Sequence, residues 1–75
     1  MPTPETEANQ SVLINGRARS VPAGLTVAGL LRHLSIEPDR VAVELNRAIV
    51  RRPDWDLTPV DDGAELEIVQ FVGGG

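Results

Sequence analysis

The chain closes with Gly73, Gly74 and Gly75, directly after the strand-like stretch Leu66-Glu67-Ile68-Val69-Gln70-Phe71-Val72. The group there with reactive potential is the terminal carboxylate. Glycine lacks a Cβ and loses the most conformational freedom on ordering, so such a run adds nothing to a core and suits close approach to another surface. At ~3.3–3.6 Å per residue, three extended glycines carry the carboxylate roughly 10 Å past the last strand. That reach is enough to enter another protein's active site.

Other residues with chemical potential are isolated. His33 is the one histidine, has no visible catalytic partner, and reads as a solvated residue at a helix end. Asp61-Asp62 precede Gly63 and read as a turn rather than a cation site. Arg51-Arg52 fit a charged strand end that discourages sheet-to-sheet pairing, with docking as a second use. Trp55, two residues after Pro53, reads as a lid over a small core rather than a binding hot spot. All seven basic residues are arginine and cysteine is absent. The chain therefore supplies no Schiff-base amine, phosphate-loop lysine, conjugating amine, thiol nucleophile or disulfide.

Seventy-five residues permit one small domain with no room for a large catalytic cavity. Apolar residues are 41% of the chain, yet Trp55 and Phe71 are the only aromatics, so Val, Leu and Ile must fill the core. A net charge of −4 argues against a phosphate-backbone ligand, and nucleic acid is not an expected partner. The opening Met1 to Gln10 lacks the basic start and apolar run of a signal peptide. No stretch approaches membrane-spanning length. The expectation is a cytoplasmic protein without a membrane partner, monomeric when free.

The elements that must position the tail follow from pattern. Residues 1–10 are polar and proline-bearing and are expected to form a disordered leader, with the domain over 11–72 and a flexible glycine tail over 73–75. Ser11-Val12-Leu13-Ile14, then Asn15-Gly16, then Arg17 to Val21 predict a hairpin with a type I′ turn. Thr26 can cap a helix over about 26–35, whose Val27, Leu30, Leu31 and Leu34 share one face. Gly29 inside it costs about 1 kcal/mol relative to Ala, which predicts close packing against another backbone. Val41, Val43 and Leu45 alternate with Ala42 and Glu44 as a half-buried strand. Asn46-Arg47 turns into Ala48 to Arg51, Pro53 to Leu57 forms a short helical turn, and Asp61-Asp62-Gly63 precedes the last strand.

The order β-β-α-β-β-β predicts an α+β fold: a mixed four- to five-stranded sheet with one main helix packed on one face and the other face partly wet. The hairpin, helix and following strand read as a crossover that brings strands alongside one another. This is the pattern of a β-grasp, or ubiquitin-like, domain. In the last strand Leu66 and Ile68 share one face, and Glu65, Glu67, Val69 and Phe71 the other. Either Val69 and Phe71 face outward as a docking patch beside the tail, or the strand end is buried on both faces.

The stretches Val12 to Gly16, Val21 to Leu31, Val41 to Asn46 and Asp62 to Gly75 together resemble the ThiS family, the sulfur carriers of thiamine thiazole biosynthesis. The resemblance runs from about Ser11 to Gly75 and is far more specific than a terminal Gly-Gly. It implies a carrier rather than an enzyme, with no cofactor bound by this chain. A ThiF-like adenylyltransferase would use ATP and magnesium to convert the Gly75 carboxylate to an acyl adenylate. A persulfide on a sulfur donor protein would displace AMP, and the resulting thiocarboxylate would pass sulfur to a ThiG-like thiazole synthase. Gly73 and Gly74 are then the spacer, and Val69, Phe71 and Val72 the partner-binding residues.

Two departures stand out. The family often carries Asn-Gly where this chain has Asn46-Arg47, and glycine near the helix end where it has Ser35. An arginine at positive φ is mildly strained, which points to a different type of turn. Related readings keep the same fold: a carrier feeding molybdopterin, cysteine or tungsten-cofactor synthesis, a ubiquitin-like protein modifier, or a passive interaction module with an inert tail.

Overall fold

The computed structural model describes residues 9–71. The tail residues Val72, Gly73, Gly74 and Gly75 and most of the expected leader lie outside the described residues. Strand β1 spans Asn9–Ile14, two residues ahead of the expected domain start, and β2 spans Arg17–Pro22. Between them Asn15 and Gly16 have φ of 52° and 83°, the pair of positive angles that a two-residue hairpin connection demands.

Helix α1, Val27–His33, is shorter than the expected 26–35. Thr26 sits outside it as N-cap, its hydroxyl oxygen accepting from the Gly29 N–H at 3.1 Å. At the other end Ser35 takes φ 59°. Its N–H donates to Arg32 O while that of Ile36 donates to Leu31 O, the bond pair of a Schellman termination. The left-handed position that glycine usually fills is thus kept with a serine. The expectation for Gly29 is not met. A Cβ there would lie 3.3 Å from the Leu25 side chain, so the residue makes room for Leu25 and for its own cap bond, not for another backbone.

After a 3₁₀ turn at Pro38–Arg40 come β3, Val41–Leu45, and β4, Ala48–Val50. Here too the expectation is corrected. Asn46 and Arg47 have φ of 51° and 72°, so this connection has the same two positive angles as the first. Its two-residue length imposes them. Asn46 also exchanges bonds with Glu65, donating its N–H to Glu65 O at 2.7 Å and accepting the Glu65 N–H on Oδ1 at 3.0 Å. A second 3₁₀ segment, Arg52–Leu57, leads through the Asp62-Gly63 turn to β5, Glu65–Gln70.

The five strands lie in the order β2-β1-β5-β3-β4. Strands β1 and β5 are parallel neighbours at the centre, and both flanking pairs are antiparallel. The helical crossover therefore joins β2 to β3, which are separated by two strands rather than placed side by side. One sheet face, carrying Val12, Ile14, Val21, Val43, Leu66 and Ile68, buries against Val27, Leu30 and Leu31 of α1. Trp55 closes this core from the second 3₁₀ segment, 5% exposed, with its indole N–H on Val50 O at 2.8 Å. The loop after it is stitched to the start of α1 by Val27 N–H to Thr58 O and Val60 N–H to Leu25 O. Among the described residues, no helix is long and apolar enough to cross a membrane.

Candidate functional site

Strand β5 is held along its length on one side. From Leu45 opposite Leu66 to Val41 opposite Gln70, β3 pairs β5 along its length. Phe71 extends the ladder through its N–H on Arg40 O at 2.7 Å.

The alternation of β5 decides between the two readings of its end. Leu66 and Ile68 are buried in the core, whereas Val69 is 54% and Phe71 57% exposed. Both belong to the face turned away from α1. Ala42 lies opposite Val69 on that face, and Ile49, 74% exposed, lies opposite Glu44. The result is an exposed apolar patch beside Phe71, the last described residue.

Farther from the tail the same face is acidic. Glu44 is directly opposite Glu67, and Glu65 is next on the same side of β5. Arg47 is 3.8 Å from Glu65, both well exposed. Leu13, Gly16, Glu44, Arg47, Glu65, Leu66 and Glu67 line a shallow hollow where β1 ends.

The remaining candidates are structural. His33 is exposed at the end of α1. Asp62 accepts the Ser11 N–H on Oδ1 at 2.9 Å, and Gly63 N–H donates to Ser11 O, so the Asp61-Asp62-Gly63 turn pins the start of β1. Among the described residues no cluster of three side chains suited to a metal ion occurs. Arg52 bonds Asp39 Oδ1 at 2.6 Å and lies over the Trp55 ring, 5.9 Å from its centroid. Sequence reasoning missed Asn15 as more than a turn residue. Its side-chain amide pairs with both backbone groups of Ile68.

A five-stranded mixed sheet with one helix packed on one face defines the class of ubiquitin-like, β-grasp domains. The chain matches the ThiS family over residues 12–75, through the glycine tail. It is 34% identical over 64 residues to the sulfur carrier protein ThiS of Escherichia coli, covering 85% of this chain and 97% of that protein. A crystal structure of the thiamine biosynthesis protein ThiS from Geobacter metallireducens superposes with a TM-score of 0.77 at 35% identity, covering 88% of this chain and all of the other. A thiazole synthase of Paramagnetospirillum magneticum is 44% identical over 64 residues, and there the chain spans 20% of the relative's length. This chain belongs to the ThiS family.

Proposed function

We propose that this chain is a sulfur carrier for thiazole formation, acting as a protein substrate and not as an enzyme. The reactive group is the Gly75 carboxylate. The observation that carries this reading is the pairing of Phe71 with Arg40, which roots a tail whose positions fall within the family match through Gly75.

A carboxylate resists nucleophiles because its charge is delocalised and its leaving group is poor. An adenylating enzyme of the ThiF type overcomes this with ATP and magnesium. A Gly75 oxygen attacks the α-phosphorus, pyrophosphate departs, and an acyl adenylate forms. The terminal sulfur of a donor persulfide then attacks the carbonyl carbon and AMP leaves. A thiol cleaves the resulting acyl disulfide, keeping one sulfur on Gly75 as a thiocarboxylate and leaving a disulfide behind. Gly73 and Gly74 carry no side chain to obstruct a narrow channel. Val69, Phe71 and Val72 form the docking contact beside it.

The receiver of the sulfur is a ThiG-like thiazole synthase. The similarity of this chain to one fifth of a thiazole synthase supports that choice over a molybdopterin or cysteine pathway. Composition accords with the division of labour: without cysteine or lysine, the chain has neither a thiol to hold sulfur nor a phosphate-loop lysine to hold ATP. This chemistry requires a compartment that holds ATP, and the cytoplasm is the one proposed.

Intact-mass measurement after incubation with a ThiF-type enzyme, ATP, magnesium and a persulfide donor tests the reading. One terminal oxygen is expected to be exchanged for sulfur, and a chain lacking Gly74 and Gly75 to remain unchanged. An unmodified full-length chain beside a demonstrably active enzyme rejects the proposal.

A further inference from the structure

The two sides of β5 are unequally occupied. Phe71 N–H reaches Arg40 O and Asn46 N–H reaches Glu65 O, so odd-numbered residues of β5 turn their backbone groups toward β3. Even-numbered residues turn theirs toward β1. Ala64 O receives Leu13 N–H, Leu66 O receives Asn15 N–H, and Ile68 is met on both groups by the Asn15 side chain. By the same alternation, Gln70 turns its N–H and C=O to the β1 side. Strand β1 has ended by then, because the chain reverses at Asn15-Gly16 into β2, which lies beyond β1. Among the described residues no group pairs with Gln70 on that side, and Gln70 is exposed.

The sheet's true edges are guarded. Strand β2 carries Arg17 and Arg19 and ends in Pro22, while β4 is three residues long and runs into Arg51, Arg52 and Pro53. Short, charged and proline-terminated edges resist pairing. The step at Gln70 has none of these protections, and it adjoins Val69 and Phe71 at the root of the tail.

We propose that the enzyme activating the Gly75 carboxylate adds an extended segment of its own to β5 at this step. Its backbone pairs with the Gln70 N–H and C=O, and an apolar side chain lies on the Val69 and Phe71 face. The inference rests on the carrier reading above. Pairing at Gln70 completes the ladder on both sides of β5 immediately before the tail, which fixes the origin of the chain that must deliver a carboxylate to a phosphorus atom.

Strand β1 itself does not fill this place. In the β1 to β5 register Asn9 lies level with Asp61, so Gln70 is about 30 Å farther along the strand direction. A second copy is also a poor occupant. Two β5 strands paired antiparallel about a dyad normal to the sheet leave both apolar patches on the open face. The few bonds available at one step also fall far short of the roughly ten that a typical interface carries.

Hydrogen exchange of the Gln70 amide and two variants test this. In the wild-type chain bound to a ThiF-type enzyme, the Gln70 amide is expected to exchange at least tenfold more slowly than in the free chain. Gln70→Pro removes that N–H without touching the β3 ladder and is expected to weaken the complex at least tenfold. Gln70→Ala keeps the N–H and is expected to bind within twofold of wild type. Trp55 fluorescence verifies that both variants are folded. A wild-type chain that takes up sulfur while its Gln70 amide stays unprotected overturns the strand addition and leaves the carrier reading standing. Absence of both binding and sulfur uptake overturns both. Protection that grows with protein concentration and needs no enzyme assigns the step to a second copy and overturns the proposal.

Discussion

Asn15 holds Ile68 by two hydrogen bonds, its Nδ2 donating to Ile68 O at 3.1 Å and its Oδ1 accepting the Ile68 N–H at 2.8 Å. A side-chain amide here stands in for a strand residue, extending β1's grip on β5 past the point where β1 has turned away. The same residue takes the positive φ of the hairpin. Replacement by glycine keeps the turn and removes both bonds, so Asn15→Gly isolates the bridging role. Partly buried backbone groups left without partners cost about 1–3 kcal/mol each at most, and water access at this site favours the lower end. Asn15→Asp, which keeps the acceptor alone, is expected to fall between. Urea unfolding followed by Trp55 fluorescence gives the order; a glycine variant as stable as wild type contradicts the assignment.

Of the four non-glycine residues at positive φ among the described residues, two are not asparagine, which tolerates that region better: Ser35 at 59° and Arg47 at 72°. The left-handed region costs an L-residue roughly 1–2 kcal/mol, while glycine's freedom in the unfolded chain takes back about 0.4–1 kcal/mol. Ser35→Gly is therefore expected to raise stability by about 0.5–1 kcal/mol. Arg47→Gly should gain less, because it also gives up the exposed ion pair with Glu65, of roughly 0–1 kcal/mol. Chemical denaturation midpoints measure both. If Ser35→Gly lowers the midpoint, strain is not what that position stores.

Local pattern carried most of the fold. Asn15-Gly16 announces a two-residue hairpin, the spacing of Val27, Leu30 and Leu31 announces the buried side of α1, and the alternation of Leu66 and Ile68 separates the two faces of β5. What pattern could not supply was long-range pairing. Nothing in Asn9–Ile14 or Glu65–Gln70 says that these strands, over fifty residues apart, lie parallel at the centre of the sheet, or that β2 and β3 are kept apart by them. The turn at Asn46-Arg47 was misjudged because local strain was weighed without the loop length that overrides it. The patch was legible as a pair of alternatives, and only the exposure of Val69 and Phe71 chose between them.

Glu44 and Glu67 face each other directly across β3 and β5 on the outer face. Like charges so placed destabilise a sheet by about 0.2–1 kcal/mol. Glu67→Gln is expected to stabilise the chain by a few tenths of a kcal/mol at low ionic strength. Because both groups are exposed, salt screens the repulsion, and the gain should shrink as salt is added. A gain independent of salt would point to packing or propensity instead of charge.

The docking role of the tail-side patch can be separated from stability because Phe71 is bound to the fold through its backbone. Its N–H reaches Arg40 O whatever the side chain, and the ring is more than half exposed. Phe71→Ala should therefore change unfolding free energy by less than about 1 kcal/mol, within the range typical of surface positions. An aromatic anchor at the centre of an interface is worth about 2 kcal/mol or more, which lowers kcat/KM for adenylation roughly 30-fold. Val69→Ala removes less area on the same face and should act in the same direction with a smaller effect. Leu57, 77% exposed on the second 3₁₀ segment, is the control: Leu57→Ala deletes a still more exposed apolar side chain outside the sheet and should leave adenylation unchanged. Steady-state pyrophosphate release with a ThiF-type enzyme reads all three. Equal losses at Leu57 and Phe71 would mean that general surface hydrophobicity is being sensed, whereas a loss confined to Val69 and Phe71 ties activation to the face that borders the tail.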